Sequence, residues 1–441
     1  MAVRVGMVSL GCPKNQVDAE ILLADLKENG FEIVNEPSLS DVVIINTCGF
    51  IESAKQESID NILEFAALKK EGRIKKIIVT GCLAERYREE VLKELPEADA
   101  VIGLGSNSKL CEIINKTLEG EQVESFGDKE ELALCGNRIV ANSPFYAYVK
   151  IAEGCNNCCT YCAIPMIRGK FRSRTVESIT SEVQNLAEQG ITEIILVAQD
   201  TTRYGEDLYG ESRLPELLTE LCKIPKIRWI RTLYSYPEGI TDKLIETVAN
   251  EDKCVKYFDI PLQHCNGEIL GRMNRSGDEE SIRALIGKIR AKIPDVTIRS
   301  TLIAGFPGET EEQFEELSVF VNEIEFDRMG CFAYSQEEGT IAADYDGQLD
   351  EETKNSRAEA INEQQMIIMA RKNEAFEGKV LEVVTEGFDR YAECYFGRTS
   401  RDVPDIDPKV FFTSDKRPAV GEYVQVRIDS AMGCDLIGER V

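Results

Sequence analysis

Histidine is almost missing from this sequence; His264 is the only one. Long apolar runs are missing too. None reaches the roughly 18 residues that a membrane span needs, so no membrane segment is expected. The start, MAVRVGMVSLGC, lacks the apolar core and cleavage site of a signal peptide and runs straight into a strand-like segment, which makes a cytoplasmic protein the expectation. Low-complexity tracts and solenoid-type tandem repeats are absent as well. Positive charge is in short supply, with 51 Lys and Arg against 78 Asp and Glu, a net charge of −27. Phosphate backbones are gripped by Lys and Arg, so strong binding to free nucleic acid is not expected beyond a local basic patch. A basic partner is attracted by the same field.

What the chain has is size and cysteine. Its 441 residues suit about three domains, and its charged and apolar fractions are those of a globular protein. Fifteen cysteines in a cytosolic chain do not suggest disulfides, because that compartment keeps thiols reduced. Metal or redox chemistry is the better reading, with some cysteines serving as small buried hydrophobes.

Hydrophobic periodicity divides the chain into four segments. Residues 1–118 read as βα repeats: VRVGMVSL, DVVIINTC and KKIIVTGC are strand-like, and each precedes a helical pattern, the third being AERYREEVLKEL. Alternation of this kind implies a parallel α/β sheet. Residues 119–142, polar and rich in Glu and Gly, read as a linker. Residues 143–372 restart the alternation with six strand-like runs, as expected for a partial or full parallel barrel whose active residues lie at the C-terminal strand ends. A long helical stretch near residues 350–376 closes that block. Residues 374–441 change to short strand-like runs (KVLEVVTEGF, YAECYFGRT, KVFFTS and EYVQVRIDSA), the pattern of a small β-barrel.

The stretch EGCNNCCTYCAIP opens the barrel block with four cysteines in eight residues. Read as Cys155/Cys158 and Cys159/Cys162 it is two CxxC pairs. Zinc sites usually space such pairs by a dozen or more residues, which disfavours but does not remove that reading. Read as Cys155-x3-Cys159-x2-Cys162 it offers three thiolates to a [4Fe–4S] cluster, which normally takes four, so one iron stays open to a small molecule. Cys158 is then a bystander. Cys12, Cys48 and Cys82 end three predicted strands in VSLGC, IINTC and IVTGC. In a parallel sheet such ends share one edge, so these thiols either converge on a ligand or are three buried cysteines that happen to end strands.

The triplet around Tyr161, Cys155-x3-Cys159-x2-Cys162, resembles the signature of radical S-adenosylmethionine (SAM) enzymes. The whole chain resembles the methylthiotransferases of that superfamily: a three-cysteine α/β domain, a radical SAM core barrel and a TRAM β-barrel. VSLGCPKNQVDAE, LVAQDTTRYGEDLYG, RTLYSYPEGITDKLI, YFDIPLQHCNGEILGRMNRSG, TLIAGFPGET and DLIGE are similar to the RimO branch, which acts on a ribosomal protein. The tRNA-modifying MiaB branch typically has Gln-Met in place of Pro13-Lys14. The resemblance implies two [4Fe–4S] clusters. Cys155, Cys159 and Cys162 would hold the one that binds S-adenosyl-L-methionine and generates the 5′-deoxyadenosyl radical. Cys12, Cys48 and Cys82 would hold the one that carries sulfur. The implied reaction is methylthiolation of the β-carbon of an aspartate in the twelfth small-subunit ribosomal protein, with a reducing electron donor and a sulfur donor as further partners. Alternatives are a tRNA methylthiotransferase of the MiaB type and a non-catalytic metal-cluster protein that binds RNA. Cys158 and Cys434 depart from the family pattern.

Other residues invite assignment. Gln199 and Arg299 sit on predicted barrel strands and are candidates to hold the cofactor, Arg299 through a bidentate carboxylate contact; an arginine paired with a core carboxylate is the plainer alternative. His264 fits a hydrogen-bonded structural role better than a base. GFPGE, residues 305–309, either brings backbone close to the cofactor or is a plain turn. No catalytic residue beyond the cysteines is identifiable. In the tail, 14 acidic residues oppose nine basic ones from residue 374 onward. Asp402, Asp405 and Asp407 are therefore expected to face a basic ribosomal protein, or else to be a solvated loop.

Overall fold

Six consecutive residues, Val42–Thr47, are all buried. A strand without an exposed face belongs in the middle of a parallel sheet covered on both sides. The computed structural model describes residues 2–141 and 143–441 and places this strand accordingly. Met1 and Asn142, the outermost residues of the expected 1–118 and 119–142 segments, lie outside the described residues. The first sheet comprises β1 (Arg4–Ser9), β2 (Glu32–Ile33), β3 (Val42–Thr47), β4 (Lys76–Gly81), β5 (Ala100–Ile102) and β6 (Val123–Ser125). Their order is β2-β1-β3-β4-β5-β6, all parallel. The short strands β2, β5 and β6 carry too few residues for a period-2 signal. Strand β6 extends the sheet from within residues 119–142, so the first part of that segment is sheet edge. The helical pattern at AERYREEVLKEL is two helices, Cys82–Tyr87 and Glu89–Glu94, broken at Arg88, where φ is 44°.

The second unit contains β7 (Tyr146–Lys150), the short antiparallel pair β8 (Ala152–Glu153) and β9 (Arg172–Ser173), then β10 (Glu193–Val197), β11 (Trp229–Thr232), β12 (Tyr257–Gln263), β13 (Thr297–Ala304) and β14 (Arg328–Ala333). Strands β7, β10 and β11 form one parallel sheet and β12, β13 and β14 another. The two halves meet where the Ser235 N–H donates to the Asp259 carbonyl at 2.8 Å. The result is a curved wall of six parallel strands. Alternation sorts its side chains. Ala147, Val149, Ile194 and Leu196 pack outward with helix residues such as Ile179 and Val183. Tyr146, Tyr148, Ile195 and Val197 face inward.

The tail is a closed barrel of β15 (Val380–Asp389), β16 (Cys394–Arg398), β17 (Val410–Thr413), β18 (Tyr423–Met432) and β19 (Asp435–Arg440), in the order β15-β16-β17-β19-β18. In β18, Val424, Val426 and Ile428 are buried between the exposed Gln425, Arg427 and Asp429, the period-2 pattern of a barrel wall. The fifth strand coincides with the DLIGE stretch, which sequence periodicity alone did not mark as a strand. No helix among the described residues is long and apolar enough to cross a membrane.

Two of the three acids of the tail loop, Asp402 and Asp407, turn inward to partners within the chain. Asp402 is buried and pairs with Arg328 at 2.6 Å. The buried Asp407 carboxylate accepts from the Tyr257 hydroxyl at 2.7 Å and lies 3.6 Å from Arg299. Asp405 accepts from the Tyr146 hydroxyl at 3.1 Å. Arg398 of β16 reaches Glu193 of β10 at 2.5 Å. The loop therefore caps the inner face of the wall near the strands' N-terminal ends. Asp407 and Asp402 answer Arg299 and Arg328, partners that are remote in sequence, while Asp405 keeps an exposed position.

Although burial opposes its charge, Arg328 holds the Asp402 carboxyl below the usual carboxylate range. A carboxyl depressed in the folded state stabilises above its unfolded-state pKa, and that stability is lost as pH falls through the depressed value. Asp402→Asn leaves Arg328 buried and unpaired, and should weaken seating of the tail by roughly 3 kcal/mol at neutral pH. Hydrogen exchange of residues 378–441 should show the loss at neutral pH and a smaller difference from wild type in acid. Equal protection at neutral pH would refute it.

Candidate functional site

Strands β1, β3 and β4 pair in register, Ser9 beside Asn46 and Thr47 beside Gly81, so their C-terminal ends are level. Cys48 and Cys82 follow those ends directly, and Cys12 comes three residues after Ser9. Cys12 stands at the N-cap of the helix Pro13–Glu28, and Cys82 begins the helix Cys82–Tyr87. Close backbone approach brings the three loops together. Gly11 has φ of +85°, and a Cβ there would lie 2.8 Å from the Cys48 sulfur. A Cβ on Gly49 would lie 2.7 Å from the Leu83 backbone. Only glycine allows both approaches. The Asn15 side-chain amide closes the arrangement, donating to the Leu10 carbonyl at 2.7 Å and the Thr47 carbonyl at 3.2 Å.

The second group lies on one loop. Cys155 follows β8, its N–H donates to the Gly169 carbonyl at 3.1 Å, and the Cys162 N–H donates to the Cys159 carbonyl at 3.0 Å. Thr160 anchors the loop through its hydroxyl to the Arg272 carbonyl at 2.8 Å. Cys155 and Cys159 are buried and Cys162 partly so, while Cys158 is exposed with φ of 51°. The Cys159 sulfur lies 3.7 Å from the Tyr236 hydroxyl. Burial pushes the thiols of Cys82 up to about 12 and of Cys155 to about 11, and raises those of Cys48 and Cys162. Such thiols stay protonated at neutral pH and are poor nucleophiles unless a metal takes the proton's place. The donor set, two groups of three thiols in glycine-cradled or anchored loops, fits iron–sulfur clusters with three protein ligands each. Among the described residues, no three Cys, His, Asp or Glu side chains are drawn together for a single metal ion.

Between the two groups lies a buried ion network that sequence reasoning missed. Arg168 donates to Asp18 at 2.8 Å, to Glu153 at 2.9 Å, to the Asn15 side chain at 3.2 Å and to the Cys82 sulfur at 3.3 Å. Lys150 pairs with the same Asp18 and with Glu153, the latter at 2.9 Å. Although burial opposes its charge, Arg168 and Lys150 hold the Glu153 carboxyl well below the carboxylate range. Asp18 belongs to the first unit and the other three to the second, so the network fastens the two. Cys82 also packs with Ala163 and Ile167, just beyond Cys162. A signal for this existed: Lys150 and Glu153 are charges within the strand-like AYVKIAE.

The remaining candidates separate. Gln199, two residues beyond β10, donates to Glu153 at 3.1 Å, and its Oε1 is buried without a partner. Arg299 lies third along β13 with its guanidinium 3.0 Å from Asp259 and 3.6 Å from Asp407. His264 is fully buried; its Nδ1 accepts from the Asn266 N–H at 2.9 Å, and its Nε2 lies 3.5 Å from Glu309. GFPGE is a turn closed by Glu309, which accepts the Gly305 N–H at 3.0 Å. Arg275 was not singled out from sequence. It is buried, lies with its guanidinium 4.2 Å from the Tyr236 ring centroid, and leaves Nη1 without a partner.

Comparison with known proteins agrees with this layout. Residues 4–103 match the uncharacterized protein family UPF0004, residues 149–321 the radical SAM superfamily and residues 378–441 the TRAM domain. A solved structure of the radical SAM methyltransferase TsrM from Kitasatospora setae shares the fold over 75% of each chain, with a TM-score of 0.56 at 13% identity. The fold and site thus define a radical SAM enzyme with an added α/β domain and a TRAM barrel. The chain is 48% identical, over 99% of both lengths, to the ribosomal protein uS12 methylthiotransferase RimO of Thermoanaerobacter sp. (strain X514), and 49% identical over the same share to that of Caldicellulosiruptor saccharolyticus. It belongs to the RimO family of radical SAM methylthiotransferases.

Proposed function

We propose that this protein methylthiolates the β-carbon of an aspartate in ribosomal protein uS12, acting in the cytoplasm with S-adenosyl-L-methionine as cofactor. The observation that carries this reading is the full-length 48% identity to RimO, supported by the contact of Cys82 with Arg168 and by its packing on Ala163, next to Cys162. Cys155, Cys159 and Cys162 would hold a [4Fe–4S] cluster, and Cys12, Cys48 and Cys82 would hold an auxiliary one. The clusters supply reductive cleavage of the cofactor and delivery of sulfur.

The chain's own residues bind, orient and shield. Gln199, through its unpartnered Oε1, and Arg275, through its unpartnered Nη1, are placed to contact the cofactor beside the Cys155–Cys162 loop. Arg299 remains a candidate, but it must release Asp259 or Asp407 to take a carboxylate. Asp18, Lys150, Glu153 and Arg168 fix the distance between the two loops. An electron donor and a sulfur donor act from outside. Mass spectrometry of uS12 and of tRNA, from cells with and without this protein, tests the reading. A methylthio group on the uS12 aspartate should depend on the protein. Loss of the modification from tRNA alone would favour a tRNA methylthiotransferase instead.

A further inference from the structure

Four lysines are buried among the described residues, and three have carboxylate partners. Lys150 has Asp18 and Glu153, Lys354 has Glu351, and Lys55 has Glu52 and Glu337. Lys14 is 7% exposed, yet no described carboxylate lies within salt-bridge distance of it. Its ammonium rests instead 3.5 Å from the centroid of the Tyr234 ring. A cation over a ring recovers less than burying an ammonium costs. No described carboxylate of the chain answers this charge, which leaves the ammonium open to one brought by a ligand.

Its surroundings say which anion. Lys14 follows Cys12 by two residues, and the Tyr234 ring beneath it lies two residues before Tyr236, whose hydroxyl is 3.7 Å from the Cys159 sulfur. It thus occupies the space between the two cysteine groups. Tyr234, beneath it, lies just beyond β11 with φ of 58°, the left-handed backbone that a bulky residue rarely adopts without reason. The Asp259 carboxylate secures that turn, accepting the Tyr234 N–H at 2.9 Å. The platform under the ammonium is thus built by the barrel, while the ammonium comes from the first unit. The sulfur-carrying and radical-generating loops can serve one carbon atom only where they face each other, and Lys14 projects there. The β-carbon of an aspartate is bonded to its carboxylate carbon, so an anion accompanies the reacting atom to this point.

We propose that Lys14 receives the carboxylate of the target aspartate, and so both orients the β-carbon between the two loops and selects aspartate over its neutral isostere. This rests on the function proposed above. A compact ammonium on a flexible stem suits a single carboxylate arriving on a protein loop, with Tyr234 holding it from the opposite side.

The test measures equilibrium binding of the full-length, cluster-loaded protein to purified uS12 and to uS12 with the target aspartate replaced by asparagine. A desolvated charge pair should make wild type prefer the aspartate form by roughly 30- to 100-fold. Lys14→Met and Lys14→Gln should reduce the preference to about threefold or less, chiefly by weakening the aspartate form, with iron content unchanged. Lys14→Arg should keep most of it. An undiminished preference in both neutral variants would overturn the proposal, as would its absence from wild type, which needs no variant. Loss of iron from the neutral variants would also overturn it, by showing that the ammonium serves the metal site. Modification of tRNA with uS12 left untouched would instead remove the functional reading, and this proposal with it.

Discussion

Replacing Cys155, Cys159 and Cys162 together by alanine should remove about half of the iron from the anaerobically reconstituted protein and abolish all reductive cleavage of S-adenosyl-L-methionine. Replacing Cys12, Cys48 and Cys82 should remove a similar share of iron yet leave cofactor cleavage in place, while methylthiolation of uS12 stops. The asymmetry follows from position. The first group lies on the loop anchored by Thr160 and flanked by Tyr236 and Arg275, at the mouth of the wall of parallel strands. The second lies on the added α/β sheet, beyond the ion network. Cys158→Ala should change neither cluster, because that residue turns away from its neighbours and is exposed. Iron analysis, electron paramagnetic resonance and 5′-deoxyadenosine production read the three outcomes. Unchanged iron in either triple variant would refute the assignment of that group.

The second large effect is expected at Arg168. Its side chain is 1% exposed and donates to Asp18, Glu153, Asn15 and Cys82 together. Arg168→Met leaves two buried carboxylates to share Lys150, an uncompensated negative charge away from water. Breaking a buried network in this way costs about 3–5 kcal/mol. The loss should appear in thermal unfolding and as faster hydrogen exchange of the helix Pro13–Glu28, which Asp18 ties to the barrel. The pH dependence has a definite sign. Glu153 is depressed in the folded protein, so its pairing stabilises above the unfolded carboxylate pKa and fades as pH falls through the depressed value. The deficit of Arg168→Met should therefore be greatest near neutral pH and shrink in acid, where protonating a carboxylate relieves the excess charge. Adding Asp18→Asn restores one lysine to one carboxylate and should recover about 1–3 kcal/mol. If the double variant were less stable than Arg168→Met, the network would not act through charge balance.

Legibility followed the range of the interactions involved. The helices Val176–Glu188, Glu279–Lys292 and Glu311–Ile324 were readable because an amphipathic face repeats within the helix itself. Strands β3 and β4 were readable as near-continuous apolar runs. Strands β2, β5 and β6 have two or three residues and exist because a longer neighbour offers its edge. The acids of the tail loop show the limit most plainly. Their charge was evident, but a carboxylate beside a buried arginine and one facing a partner have the same local sequence. Arg299 is the mirror case: a cofactor carboxylate and a core carboxylate were both open to it in the sequence, and Asp259 and Asp407 stand beside it.

The sequence by itself determined the order of α/β, barrel and β-barrel segments, the clustering of Cys155, Cys159 and Cys162 and the strand-end positions of Cys12, Cys48 and Cys82. All of these are set by periodicities and spacings within a few turns of chain. Tertiary structure alone decided what lies between the two cysteine groups. Asp18 and Arg168 are 150 residues apart, and Lys14 reaches the ring of Tyr234 from another domain. Buried charges are stable only with partners or ligands in contact, and contact over such separations is a property of packing that no local pattern encodes.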